Sequence, residues 1–274
     1  MYPCVCVLGL VTAVGGLTEA VVKASTRALL AHCLQRRGSG SALGDLLQQL
    51  LEIFRENSAY TAVLGGASAA TLGGNRVLVP LLKTLETLLR HSVFDQLLGR
   101  SSDPRLPSEL YSYVNYEMNN STDVVKIRKC LDILILLLNS DIDDVRYRCM
   151  KSVAVLVGHK YPKVRKYASE LLYTYALADP YFIGIRFSAE APSAIKIGFV
   201  TTPEELEAAN GVLLETNWEG ESLSGVRERR LALCSFLGLQ MQTRVRSAAA
   251  RAVATGAQAD ELDDYATLVR EAGY

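Results

Sequence analysis

The sequence predicts an all-α protein, a HEAT/armadillo-like α-solenoid of antiparallel helix pairs. Apolar residues recur at helical spacing almost throughout, strand-type alternation is rare, and one helix-opening signature returns at about a repeat length. Leu43, Leu46, Leu47, Leu50, Leu51 and Phe54 fall at steps of three and four. So do Leu78, Leu81, Leu82, Leu85, Leu88 and Leu89, and so do Val164, Ala168, Leu171 and Tyr175. Each set draws one apolar stripe toward a core. The best strand-like stretch, residues 195–200, is short.

The elements follow from the breaks between these stripes. The first two helices are expected near residues 3–14 and 17–34, with Gly15-Gly16 as the turn between them. A Gly/Ser turn at 38–41 precedes a helix near 43–57. The glycine-rich stretch 65–75 reads as a flexible loop before a helix near 76–91. Two prolines in 101–107 mark the next break, followed by helices near 105–119, 122–139, 142–158 and 162–177. Residues 179–192 are punctuated by Pro and Gly and read as irregular. Thr202-Pro203-Glu204-Glu205 is a strong helix start. Thr202 can cap, Pro203 suits the first helical position and Glu205 completes a capping box. This opens a helix near 203–216, and the last is expected near 222–238. The domain reading is a helical repeat region over 1–239 and an Ala/Arg-rich, then acidic, tail over 240–274 that is loosely attached.

The repeat signal lies at helix starts. Lys126-Ile127-Arg128 and Lys163-Val164-Arg165 stand 37 residues apart, close to the ~40-residue period of paired-helix repeats. Asp144-Val145-Arg146 opens the helix between them. The aliphatic residue belongs in the core, and the arginine can bond acceptors of the neighbouring repeat. A non-repeating bundle with coincidental pairs is the alternative.

Composition narrows the function classes. Of 274 residues 49% are hydrophobic, enough to bury a core. Lys+Arg and Asp+Glu each total 29, so whole-chain attraction to nucleic acid or an anionic membrane is not expected. Six cysteines at 4, 6, 33, 130, 149 and 234 are irregularly spaced, which fits buried free thiols in a reducing compartment. No apolar run reaches the roughly 18 residues that span a bilayer. The apolar N-terminal run 5–14 lacks a basic flank, because the first Lys or Arg is Lys23. A cytosolic protein without membrane insertion is expected.

Catalytic signatures are missing: no nucleophile elbow, zinc-protease helix or phosphate loop occurs. Cys4 and Cys6 have no second pair to complete a zinc site. His32, His91 and His159 fall at predicted helix ends, where imidazole can meet exposed carbonyls. No enzyme activity, cofactor or metal is expected. The charge arrangement says more. Arg146, Arg148, Lys151, Lys160, Lys163, Arg165 and Lys166 follow one another with no acid between them. Glu204, Glu205, Glu207, Glu215, Glu219 and Glu221 fall in a stretch, 197–226, without Lys or Arg. Two readings stay open: solvated faces that neutralise each other, or a basic patch for an acidic protein partner beside an acidic one. Nucleic acid lacks motif support.

Four segments resemble the tubulin-folding cofactor D family. Gly9-Leu10-Val11-Thr12-Ala13-Val14-Gly15-Gly16-Leu17-Thr18-Glu19 resembles its GLV-x-x-VGGLTE stretch. Val79-Pro80-Leu81-Leu82-Lys83-Thr84-Leu85 resembles its VPLLKTL helix. Tyr161-Pro162-Lys163-Val164-Arg165-Lys166-Tyr167-Ala168-Ser169 is similar to its P-x-IRK-x-x-AS helix. Val226-Arg227-Glu228-Arg229-Arg230-Leu231-Ala232-Leu233-Cys234-Ser235-Phe236-Leu237-Gly238 is similar to its closing VRE-x-RN-x-LC-x-LLG. The likeness covers only the C-terminal region of that family. It fails in the tail after Leu239 and in the loop at 65–75.

The resemblance implies a HEAT-repeat chaperone of the cytoplasm, associated with microtubules or centrosomes. It implies capture of β-tubulin released by the chaperonin, and work with cofactors E and C to assemble or dismantle αβ-tubulin. It also implies binding of an Arf-like small GTPase and, with the other cofactors, stimulation of GTP hydrolysis by tubulin. Tubulin's acidic C-termini make the basic stretch Arg146 to Lys166 an attractive contact. A generic HEAT scaffold or adaptor, and an enzyme with an unrecognised compact site, are the rivals. The first helix has no charged residue before Glu19, so preceding repeats are expected to pack on it. On that reading the isolated chain self-associates through that end.

Overall fold

The computed structural model describes residues 4–16, 18–36, 40–58, 74–99, 105–179, 182–184 and 198–239. Among these the chain forms α1 (Cys4–Val14), α2 (Glu19–Gln35), α3 (Gly40–Asn57), α4 (Gly74–Arg90), α5 (Asp95–Leu98) and α6 (Arg105–Asn119). It continues with α7 (Val124–Leu137), α8 (Asp143–Leu156), α9 (Pro162–Ala178), α10 (Pro203–Glu215) and α11 (Leu223–Phe236). The fold is all-α, in helix pairs of the HEAT/armadillo-like kind. The loop at 65–75, apart from Gly74 and Asn75, and the tail 240–274 lie outside the described residues.

The chain forms two compact units, Met1–Cys149 and Met150–Tyr274. The boundary falls inside α8.

In the first unit the apolar stripes become two layers. One holds α1, α4 and α7, the other α3 and α6. The fully buried stripe Leu81, Leu82, Leu85 and Leu88 on α4 meets Ile127, Leu131 and Leu134 of α7 inside this core. Polar contacts fix the directions. Asn75 bonds Lys126 and Glu86 bonds Lys129, so α4 and α7 run parallel. Arg55 meets Glu109 while Ser58 meets Glu117, so α3 and α6 also run parallel. Glu117 and Lys126 pair beside the short turn between α6 and α7, which are antiparallel. Antiparallel within a pair and parallel between pairs is the repeat geometry that the periodicity predicts. α2 packs on α1 and buries only Leu29 and Cys33.

The first helix does not stand apart from this core. Val7, Val11 and Val14 are buried, and Gly9 and Thr12 are exposed. α1 packs on α2, α3 and α4.

In the second unit α10 packs on both α9 and α11. Phe182 and Phe199 come together beneath Tyr175 of α9, with ring centroids 5.5 Å and 6.2 Å apart along the chain of contacts. The strand-like stretch contributes only the single parallel bridge Ile183–Val200 among the described residues. A Cβ on Gly198 would lie 2.4 Å from the Gly184 nitrogen, so this close approach requires glycine.

Candidate protein-interaction surface

The basic stretch divides on folding. Val145 and Val164 are buried, as their position in the repeated signature requires, and the arginine after each is drawn in with them. Arg146 is 0% exposed, and its Nε donates to the Leu138 carbonyl at 3.1 Å. Arg165 is 3% exposed. Its Nε donates to the Trp218 carbonyl at 2.7 Å, and its Nη1 to those of His159 and Lys160 at 3.1 and 3.2 Å. Both arginines close the turn before their own helix. Burial pulls the Arg165 guanidinium below its usual pKa.

The remaining cations lie nearer water. Arg148 pairs with Asp144 at 2.6 Å, donates to the Ser108 hydroxyl at 2.6 Å and stands 4.8 Å from the Tyr111 ring centre. Lys151 is half-buried. Lys160 is half-buried with its Nζ 5.1 Å from the Tyr161 ring centre. Lys163 and Lys166 are exposed on the first turns of α9. Lys166 pairs with Glu219 at 3.1 Å, and that bond and charge raise its pKa. Of the seven residues contiguous in charge, Arg146 and Arg165 do not reach the surface. Arg146 and Arg148 belong to the first unit, the other five to the second. Within the second unit Lys160, Lys163 and Lys166 face water around the turn into α9, while Arg165 does not.

His159 sits at this turn, 4% exposed. Its Nδ1 accepts from the Tyr161 N–H at 3.1 Å, and its ring lies 5.0 Å from that of Tyr161. Burial, then Lys160 and Arg165, press its pKa down to about 4. It is a neutral acceptor near pH 7, fixed in the turn and not at a carbonyl cap.

The acidic stretch serves α10 and the turn after it. Glu219 answers Lys166. Glu205 does not close a box on Thr202. Thr202 Oγ1 accepts from the Glu205 N–H at 3.3 Å as expected, but the Glu205 carboxylate accepts from Thr201 instead, at 2.7 Å from both its N–H and hydroxyl. Two donors on one residue outbid the single N–H of Thr202. Linear charge runs also hid a third feature: Arg76, Lys83 and Arg90 lie seven residues apart along α4.

No helix among the described residues is long and apolar enough to cross a membrane. No solved structure matches the chain. Residues 2–126 match the family described as tubulin folding cofactor D C terminal. The match takes in α1 to α6 and the start of α7, with the first two of the four resembling segments. Those two touch: a Cβ on Gly15 would lie 2.2 Å from the Pro80 Cα, so the α1 terminus presses directly on α4. The basic stretch lies beyond the match. Over residues 2–126 the chain is similar to the C-terminal region of the tubulin folding cofactor D family.

Proposed function

We propose that this chain is a non-enzymatic module that binds β-tubulin and takes part in post-chaperonin folding, assembly and disassembly of αβ-tubulin in the cytoplasm. The observation that carries the reading is the family match over residues 2–126, on a stack of helix layers built to present surface. The partners proposed with it are αβ-tubulin, cofactors E and C and an Arf-like small GTPase. The complex so formed stimulates GTP hydrolysis by tubulin, and works at microtubules or centrosomes. The mechanism is differential binding: a surface that holds one conformation of tubulin stabilises it for handover. No group of this chain enters a covalent step.

In this proposal Lys160, Lys163 and Lys166 steer tubulin's acidic C-termini, and the exposure of Lys163 and Lys166 supports it. Reversing all three to Glu is expected to slow association with purified β-tubulin, and raised salt to slow the wild type similarly. Unchanged association of the folded triple variant would remove this stretch from the tubulin surface. Binding of another protein with tubulin ignored would favour the generic scaffold.

A further inference from the structure

The zero net charge of the chain hides a separation of charge between the two layers of the first unit. Helices α1, α4 and α7 together carry Arg76, Lys83, Arg90, Lys126, Arg128 and Lys129 against Glu86 and Asp132. Helices α3 and α6 carry Asp45, Glu52, Glu56, Glu109 and Glu117 against Arg55 and Arg105. One layer is basic and the other acidic.

The basic layer places its cations outward and its acids beneath. Arg76 and Arg90 on α4 and Arg128 on α7 are exposed, and Lys83 is half-buried. The Glu86 side chain is 13% exposed and holds Arg90 and Lys129, each at 2.7 Å. Asp132 is 4% exposed and also holds Lys129, at 3.0 Å. Lys83 reaches across to the Gly15 carbonyl of α1 at 3.3 Å. The two carboxylates thus orient cations from below and offer little charge to anything above.

Spacing gives the surface a direction. Seven residues are nearly two helical turns, so Arg76, Lys83 and Arg90 stay on one face at steps of about 10.5 Å. An extended peptide of polyproline II type advances about 3.1 Å per residue with three residues per turn, so every third residue returns to one face at steps of about 9.3 Å, close to this spacing. We propose that the outer face of α4, with Arg128 of α7 beside it, docks an extended acidic peptide segment of a protein partner. The surface lies within the residues of the family match and apart from the basic turn at α9. Helices α1, α4 and α7 contain no aromatic residue, so there is no stacking platform for single-stranded nucleic acid. Among the described side chains of this layer, the one large exposed apolar residue, Val125, offers no wedge of the size a lipid surface binds.

The test is fluorescence anisotropy of a labelled glutamate-rich peptide titrated with the full chain. Binding that weakens with salt is expected, with roughly a tenfold loss in the triple variant Arg76→Gln, Arg90→Gln, Arg128→Gln. A control variant, Lys23→Gln with Arg27→Gln on α2, is expected to bind as the wild type does. Should the triple variant lose its helical signal, the single Arg76→Gln variant gives the same reading, with a smaller loss expected. Affinity within about twofold of wild type in the folded triple variant would overturn the proposal. So would tighter binding of an oligothymidylate of equal charge or of phosphatidylserine vesicles.

Discussion

At the residue scale, the Val-Arg pairs show what a short motif can and cannot say. The apolar member was legible, because helical periodicity assigns it to the core. The fate of the arginine was not, because a charge run in sequence carries no information about which carbonyls lie open nearby. The open carbonyls at the turns before α8 and α9 decide it, and Arg146 and Arg165 go inside. Replacing either with Ala strands those carbonyls and leaves a void, at a cost of about 2–4 kcal/mol. Lys163→Ala is expected to stay within about 0.5 kcal/mol, since its side chain is in water. Denaturant unfolding of the three variants checks the contrast. His159 adds a pH dependence. Its folded pKa of about 4 lies below the ordinary histidine value of 6.5, so the unfolded chain binds its proton first as pH falls. Stability from this group is complete above about pH 6.5 and is lost toward pH 4, by on the order of 3 kcal/mol. His159→Gln is expected to flatten that part of the pH profile of thermal unfolding.

At the element scale, the helices were read in place because each break has its own chemistry. Ser222 caps α11 through the Gly225 N–H at 3.2 Å, Asp123 caps α7 through that of Val125 at 2.8 Å, and Pro162 opens α9. The short α5 was missed. It follows an α4 terminus in which the Val93 N–H returns to the Leu88 carbonyl at 3.0 Å and Ser92 takes φ 57°, a role usually given to glycine. Without that glycine the turn left no mark in the sequence. The Gly15-Gly16 turn was found, but its tightest contact was not, since pairing with Pro80 joins positions far apart in the chain. Gly15→Ala would force a methyl against the Pro80 backbone. A loss of about 1–3 kcal/mol is expected, measured by the unfolding midpoint, because neither the end of α1 nor the α4 backbone at Pro80 can give way without disturbing α1 on α4.

At the scale of the whole molecule, fold class and the likeness over residues 2–126 were legible together, since both depend on patterns along the chain. The division into two units was not legible, because α8 runs unbroken through the boundary and offers no linker. Nor was the charge separation between layers, which appears only when α4 and α7 are brought side by side. The buried thiols fit the reading of free cysteines: Cys33, Cys130, Cys149 and Cys234 are all buried, and burial pushes the pKa of the first three up. The proposed role requires that the chain hold tubulin. Sedimentation velocity of the purified chain mixed with purified αβ-tubulin measures this directly. The account predicts a faster boundary containing both proteins, or tubulin dissociated with one subunit carried by this chain, at low salt and less of it at high salt. Two independent boundaries, unchanged across salt and concentration, would contradict it.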